Sequence, residues 1–247
     1  MSEESTPTRG TPRVFATTHW SVVVAAGEGD SEGSRSALEI LCQGYWYPIY
    51  VYVRRKGHEP ESAQDLTQEF FAQLISKEHL KLADRKKGKF RTFLLAMLDH
   101  FLAREWSRAH RQKRGGKFTF ISLDGQSPED RYRIEPRHSE TPEKNFERQW
   151  ALTVLEKTMT ALERECNSSS KASLFREAKA LLTAGPESGT YTEMSRRLGM
   201  GEGAVRVAVH RLRERYGDLL WSEIAQTVER PADVQEEIRY LLNVLSS

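Results

Sequence analysis

Four basic side chains lie close together near the carboxyl end of the chain, between positions 206 and 213. Arginine can bind the edge of a guanine base through two hydrogen bonds, and any basic side chain can pair with a phosphate. This chemistry requires the side chains to share one exposed surface. The candidate DNA contacts of this stretch are Glu202, Arg206, Val207, His210, Arg211 and Arg213.

Residues 190–216 predict two helices that would present this surface. Thr190 is suited to cap the first helix, because its hydroxyl can accept a hydrogen bond from a free backbone N–H of the first turn. Gly199 is suited to end that helix in the left-handed conformation. One apolar stripe of the second helix is predicted to pack on the first; its members are Val205, Val209, Leu212 and Tyr216.

The basic face of the second helix is expected opposite that stripe. Arg206, His210 and Arg213 are predicted to face solvent there. Two short helices joined by a glycine turn, with a basic second helix, are typical of the helix-turn-helix that binds the DNA major groove. The alternative interpretation is a solvated basic helix within an all-α bundle.

A second basic stretch, at residues 86–117, is interleaved with aromatic side chains. Basic residues pair with phosphates, and aromatic rings stack on unpaired bases with about 1–3 kcal/mol per base. The mixture therefore favours melted or distorted DNA over intact duplex. Phe93 and Phe101 are expected in the core, as most helical aromatic residues are, whereas Trp106 is left open. The basic candidates are Lys89, Arg91, Arg104, Arg108, Arg111, Lys113 and Arg114.

Residues 63–71 predict a helix with one apolar and one acidic face. Asp65, Gln68 and Glu69 share the polar face. Carboxylates on a rigid helix suit a protein partner rich in arginine. The alternative is an ordinary solvated helix surface, which the charge pattern alone favours.

Composition restricts the remaining classes of protein. The 247 residues carry a net charge of only +2, so the whole chain is not a general polycation. Cys42 and Cys166 have no Cys or His neighbour at metal-ligand spacing and are interpreted as reduced thiols of a cytoplasmic protein. The sequence contains no apolar run of membrane-spanning length, no nucleophile elbow and no phosphate loop. We therefore expect no membrane insertion, no cofactor, no metal and no enzymatic activity.

Helical periodicity dominates the chain and predicts an all-α protein of two helical domains joined by a flexible linker. A helix break is expected near residues 99–100, and a short extended piece at 118–123. The predicted segments are a disordered tail (1–16), a first helical domain (17–114), a linker (115–141), a second helical domain (142–230) and a helical extension (231–247).

Taken in order, these segments resemble the extracytoplasmic-function (ECF) class of bacterial RNA polymerase sigma factors. Residues 65–71, with the pattern Asp-Leu-x-Gln-Glu-x-Phe, are similar to the segment of that family that binds core polymerase. Residues 89–114 are similar to its promoter-melting helices. Residues 191–216 are similar to its carboxyl-terminal helix-turn-helix. The resemblance covers residues 36–113 and 142–221.

The resemblance implies a mechanism and a set of partners. Asp65, Gln68 and Glu69 would bind the β′ clamp of core RNA polymerase, and the second domain would adjoin the β flap. Promoter DNA would be melted on the first domain, with a flipped base held at a turn near Asp99 and His100. The second domain would bind the upstream promoter element. An anti-sigma factor or another regulator is a further partner that the family suggests.

The chain departs from the family pattern in its recognition helix and at its end. Gly201, Ala204 and Val207 stand where the family often has hydroxyl residues, so base contacts there would be apolar or absent, and the usual cap at Gly201 is weakened. The extension beyond Pro231 is additional and could either mask a DNA-binding surface, bind a regulator or stabilise the fold.

Two other classes of function remain as alternatives. A stand-alone helix-turn-helix regulator, with a dimerising first domain, would bind its promoter tightly without polymerase. A hydrolase or nuclease would use Asp65, Glu69 or His100, although carboxylates four residues apart are common on exposed helices.

Overall fold

The computed structural model of the protein describes residues 19–28, 31–76, 79–109, 127–134, 140–183 and 190–246. These residues form ten α-helices and three short 3-10 helices and contain no β-strand, which confirms for them the predicted all-α class. The α-helices are α1 (Trp20–Gly27), α2 (Glu32–Arg55), α3 (Pro60–Ser76), α4 (Phe90–Ala109), α5 (Pro128–Ile134), α6 (Pro142–Asn167), α7 (Ala172–Thr183), α8 (Thr190–Leu198), α9 (Glu202–Ala225) and α10 (Val234–Ser246); the 3-10 helices are His79–Leu82, Arg85–Lys87 and Pro231–Asp233.

Several predicted features lie outside the described residues. These are the amino-terminal tail, most of the predicted linker with its extended piece, and the candidate contacts Arg111, Lys113 and Arg114. Within the described ranges, none of the helices combines the length and the apolar composition that crossing a bilayer requires.

Local sequence explains where the long helices begin. The hydroxyl of Ser31 accepts a hydrogen bond from the backbone N–H of Ser34 at the start of α2. The hydroxyl of Thr141 does the same for Lys144 at the start of α6, where Pro142 occupies the first turn. Such caps satisfy backbone donors that have no partner inside the helix.

The buried side chains form two hydrophobic clusters. The first cluster contains side chains of α1 to α4, the amino-terminal half of α6, the end of α9, and α10. The second contains the carboxyl-terminal half of α6 together with α7, α8 and most of α9. Because α6 and α9 contribute to both clusters, they tie the α8–α9 pair to the rest of the chain.

The first cluster crosses the boundary predicted between the two domains at residue 142. Phe146, Trp150 and Val154 of α6 are at most 2 % exposed and belong to the same cluster as Tyr45 and Tyr52 of α2. The rings of Tyr45 and Phe146 stack with centroids 6.2 Å apart. Helical periodicity predicts that α6 has an apolar face, but it does not identify the helix on which that face packs.

The amino-terminal helix α1 belongs to the same body. Trp20 is buried, and its backbone N–H donates to the carbonyl of Gln226 after α9. Glu223 of α9 accepts hydrogen bonds from Lys157 at 2.6 Å and from His19 at 3.1 Å. Helix α1 and the carboxyl-terminal end of α9 are therefore held side by side.

Helix α5, which falls within the predicted linker, packs on α2. Glu129 accepts a hydrogen bond of 2.6 Å from the hydroxyl of Tyr50. It also pairs with Arg54, through Nε at 2.9 Å and Nη2 at 3.0 Å. The guanidinium of Arg54 lies 4.9 Å from the ring centroid of Tyr132. This part of the predicted linker is thus anchored by specific contacts.

The Glu129 contacts predict a pH dependence of stability. Burial raises the pKa of Glu129, but the hydrogen bonds from Arg54 and Tyr50 outweigh it and hold the pKa below its ordinary value of 4.5. The carboxylate therefore contributes stability above about pH 4.5, and this contribution is lost as the pH falls through the lower folded-state pKa. We expect Glu129→Gln to lower the free energy of unfolding by about 2 kcal/mol at pH 7, with a smaller difference from wild type in more acidic solution.

Urea unfolding followed by circular dichroism at pH 7 and pH 3.5 measures this difference. Glu61→Gln, at an exposed position of α3, is the matched control and is expected to change stability little at either pH. If Glu129→Gln lowered the free energy of unfolding equally at both pH values, the charge of Glu129 would not contribute to stability.

Candidate nucleic-acid interface

Helices α8 and α9 are joined by a three-residue turn. Gly199 adopts the left-handed conformation with φ of 63°, as predicted, and the N–H of Met200 donates to the carbonyl of Ser195. Gly201 precedes α9 without any side-chain cap. The predicted apolar stripe of α9 is confirmed: Val205, Val209, Leu212 and Tyr216 are all at most 9 % exposed and lie in the second cluster.

The opposite face of α9 is open to solvent. The side chain of Arg206 is 58 % exposed and that of His210 is 71 % exposed, and Val207 is 51 % exposed. Arg211 is also exposed and has no hydrogen-bond or ion-pair partner among the described residues. These four side chains present a mixed basic and apolar surface of the kind that contacts base edges and phosphates.

The prediction that Arg213 faces solvent is wrong. Its Nε and Nη2 donate to the backbone carbonyl of Leu181, at 3.1 Å and 2.7 Å. Arg213 follows Leu212 directly, so it lies beside the buried stripe and turns toward the end of α7. A basic side chain near a helix end satisfies carbonyl groups that lack an intrahelical partner.

Arg213→Ala is therefore expected to lower stability rather than to act on DNA contacts. We expect a loss of about 1–3 kcal/mol in the free energy of unfolding, because a partly buried carbonyl loses a charged donor. Thermal or urea unfolding measures it. Arg211→Ala is the control on the same helix, with an expected change within about 0.5 kcal/mol; equal losses in both variants would contradict the assigned role of Arg213.

A small network connects the start of α9 to α8. Arg206 donates to Glu202 through Nη2 at 2.6 Å and Nε at 3.2 Å. The other carboxylate oxygen of Glu202 accepts a hydrogen bond from the hydroxyl of Thr192 at 2.9 Å. The guanidinium of Arg206 lies 4.5 Å from the ring centroid of Tyr191. Thr192 is not among the residues that the sequence predicts for this surface. The spacing of four residues between Glu202 and Arg206 favours their ion pair, but it does not indicate a partner on α8.

The carboxyl-terminal half of α4 forms a second basic surface. His100, Arg104 and Arg108 recur every four residues and, with Gln73 of α3, line an open groove of about 580 Å³. Trp106, left open by the sequence, is 64 % exposed. Arg104 donates to Gln73 at 3.3 Å, and Arg108 pairs with Glu105 at 3.1 Å. The indole of Trp106 is not among the side chains that line this groove, although an exposed aromatic ring is suited to contacts with unpaired bases.

The predicted helix break at Asp99 and His100 is wrong. Helix α4 runs continuously from Phe90 to Ala109, because Leu94, Leu98 and Phe101 form one buried stripe across that point. Phe101 is in the core as predicted, whereas Phe93 is only partly buried. Asp99 accepts a hydrogen bond of 2.8 Å from the hydroxyl of Tyr52. A base pocket formed by a turn at these residues is therefore not present.

Arg91 does not lie on the basic surface where the sequence predicts it. Its side chain is 2 % exposed and pairs with Glu147 of α6 at 2.6 Å and with Glu237 of α10 at 2.5 Å. The guanidinium also lies 4.3 Å from the ring centroid of Trp150. Burial lowers the pKa of Arg91, but the two carboxylates outweigh it and keep the pKa above its ordinary value. Arg91 is thus committed to holding three helices together.

Lys89 is partly committed in the same way. Its ammonium pairs with Glu237 and lies 4.9 Å from the ring centroid of Tyr240. The start of α4 faces α6 and α10, which supply these carboxylates and rings. The predicted DNA contact at Arg91 is therefore covered by the chain itself, whereas Lys89 is paired with Glu237 and keeps 39 % of its side chain exposed. The exposed cations within α4 are those of its second half.

The predicted acidic face of α3 is exposed. Asp65 and Glu69 are exposed and Gln68 is half-buried, whereas Phe70 and Leu74 on the other side are in the core. Gln73 donates to Glu69 at 2.9 Å and accepts from Arg104 of α4. The acidic face of α3 and the basic groove of α4 are therefore adjacent.

Comparison with known proteins identifies no match to this chain among family models, curated proteins or solved structures. In the part of the chain that the structure describes, no three His, Cys, Asp or Glu side chains are grouped so that they could hold a metal ion. The functional argument accordingly depends on the geometry of the exposed surfaces.

Proposed function

We propose that this protein is a sigma factor of the ECF class, which binds core RNA polymerase in the cytoplasm and directs it to promoters. One observation carries the proposal: the exposed carboxylates of α3 adjoin the basic groove of α4, and the α8–α9 pair presents a separate basic face. The resemblance assigns the α3 surface to polymerase, the α4 surface to melted DNA and the α8–α9 surface to the upstream duplex.

The α3 surface supplies the polymerase contact in this proposal. Asp65 and Glu69 are exposed carboxylates on a rigid helix, and arginine pairs with carboxylates through two parallel hydrogen bonds. Their partner would be the β′ clamp. Gln73 connects this face to Arg104 through hydrogen bonds, so bound polymerase would lie next to the groove of α4.

The α4 surface supplies the contacts with melted promoter DNA. Arg104 and Arg108 would pair with phosphates in the groove, and Trp106, which is exposed outside the groove, would stack on an unpaired base, which stabilises by about 1–3 kcal/mol. His100 faces the same groove. A base that leaves the duplex would thus lie against the continuous helix rather than in a turn.

The α8–α9 pair acts as a helix-turn-helix in this proposal. Helix α9 would enter the major groove of the upstream element with Arg206, Val207 and His210 toward the base edges. The exposed Val207 suits the methyl group of thymine. The second cluster behind these helices would adjoin the β flap. Polymerase performs the chemistry, so the chain itself requires no catalytic residue.

A stand-alone DNA-binding regulator is the second candidate, and the shared core favours it. Helices α6 and α9 contribute to both clusters, and Glu237 of α10 pairs with Arg91 and Lys89. The α8–α9 pair would then be the DNA-binding surface of one packed unit. Such a protein needs no polymerase to bind its site.

Fluorescence anisotropy on labelled DNA from upstream of the protein's own gene separates the two candidates. A sigma factor is expected to bind this DNA weakly alone and tightly with bacterial core polymerase. Arg206→Ala should then weaken binding to this DNA more than binding to a scrambled sequence. Tight binding that core polymerase does not change would reject the sigma factor in favour of the regulator.

A further inference from the structure

The exposed start of α9 holds one arginine in a fixed orientation. We propose that Glu202 and Tyr191 are positioning residues that direct Arg206 toward a single guanine of the bound DNA. This inference depends on the proposed function, because it assumes that α9 contacts base edges.

The hydrogen bonds leave one edge of the Arg206 guanidinium available. Nε and Nη2 both donate to the same oxygen of Glu202, which uses one side of the planar group. The side formed by Nη1 and the second N–H of Nη2 has no partner among the described residues. A guanidinium presents paired donors along each side, and such a pair matches O6 and N7 of guanine. Arg206 can therefore bind guanine without releasing Glu202.

Two residues of α8 hold this arrangement from the other side. The ring of Tyr191 supports the face of the guanidinium at 4.5 Å. The hydroxyl of Thr192 donates to the Glu202 oxygen that Arg206 does not use. Hydrogen bonds from Arg206 and Thr192 hold the pKa of Glu202 below its ordinary value, so the carboxylate remains charged at neutral pH.

The network differs from an ordinary ion pair on a helix surface. A pair four residues apart stabilises its own helix and needs no contact from a neighbouring helix. Here α8 contributes both a ring and a hydroxyl to side chains of α9. Because a free arginine loses side-chain entropy on binding, holding it in place beforehand favours the correct base over others.

The roles differ between the two positioning residues. Glu202 fixes the rotation of the guanidinium in its plane, because both bonds reach one oxygen. Tyr191 fixes the tilt of that plane through its ring. Phenylalanine at this position should therefore preserve the orientation of Arg206, and leucine should not. Neither residue needs to touch DNA.

Selection from a duplex library with a randomised upstream element, using the full-length protein with bacterial core polymerase, tests the inference. Wild type should enrich guanine at one position, and Arg206→Ala should lose that enrichment. Glu202→Gln and Tyr191→Leu should each reduce it by about 2- to 5-fold and leave the other positions unchanged. Tyr191→Phe should behave like wild type, and Asp218→Asn, at an exposed carboxylate further along α9, is the matched control.

The readout separates positioning from a structural role. A merely structural contribution would lower thermal stability without changing the preferred base, and circular dichroism monitors the fold of each variant. Unchanged guanine enrichment in Glu202→Gln and Tyr191→Leu would overturn the inference and leave the proposed function standing. Absence of any enrichment by the wild type would overturn the proposed function, and the inference with it.

Discussion

Arg91→Ala is expected to lower the free energy of unfolding by about 3–5 kcal/mol. The substitution removes the buried cation that pairs with Glu147 and Glu237; it leaves Glu147 without this partner and Glu237 with Lys89 alone. Removing one partner of a buried ion pair has an effect of this size because the remaining charge is uncompensated. The expected loss is a large part of the stability of an ordinary domain.

Urea unfolding at pH 7, followed by circular dichroism, measures this effect. Arg108→Ala is the matched control, because Arg108 lies on the same helix with a 63 % exposed side chain; its expected change is within about 0.5 kcal/mol. A loss below about 1 kcal/mol for Arg91→Ala would contradict the view that Arg91 joins α4 to α6 and α10.

Glu69→Arg is expected to abolish binding to bacterial core RNA polymerase. The substitution reverses the charge at the centre of the exposed face of α3, and like charges across an interface oppose binding by several kcal/mol. The fold should be retained, because Glu69 is exposed and its carboxylate accepts a hydrogen bond from Gln73 of the same helix, four residues later. Size-exclusion chromatography of the mixture with core polymerase measures complex formation.

Glu39→Arg on α2 is the matched control for this substitution. Glu39 is also exposed and accepts a hydrogen bond from a glutamine four residues later, at 3.0 Å. The two variants thus carry the same charge change in the same local setting. Equal binding of core polymerase by wild type and Glu69→Arg would reject the assignment of α3, and equal loss in both variants would indicate a general effect of charge.

Local features of the fold are predictable from the sequence because their causes lie within a few residues. The stripe through Val205, Val209 and Leu212 follows from helical period alone, and the left-handed turn at Gly199 follows from the missing side chain. The exposed acidic face of α3 is predictable for the same reason.

Features that depend on distant contacts are not predictable in this way. Arg91 and Arg104 are both arginines of one predicted basic stretch, and nothing near them in the sequence distinguishes the buried one from the exposed one. The partner that buries Arg91, Glu147, is 56 positions away. Helical position predicts Arg213 on the solvent face, whereas the carbonyl of Leu181 determines its orientation. Shared packing likewise joins α6 to α2, which periodicity does not reveal.

Run-off transcription by bacterial core RNA polymerase tests the central claim most directly. The template is the DNA upstream of the protein's own gene, and reactions are compared with and without the purified protein. The proposed function predicts defined transcripts that appear only with the protein and are lost with Glu69→Arg. The absence of both a transcript and a complex with core polymerase, under conditions in which a known sigma factor supports transcription, would contradict the proposed function.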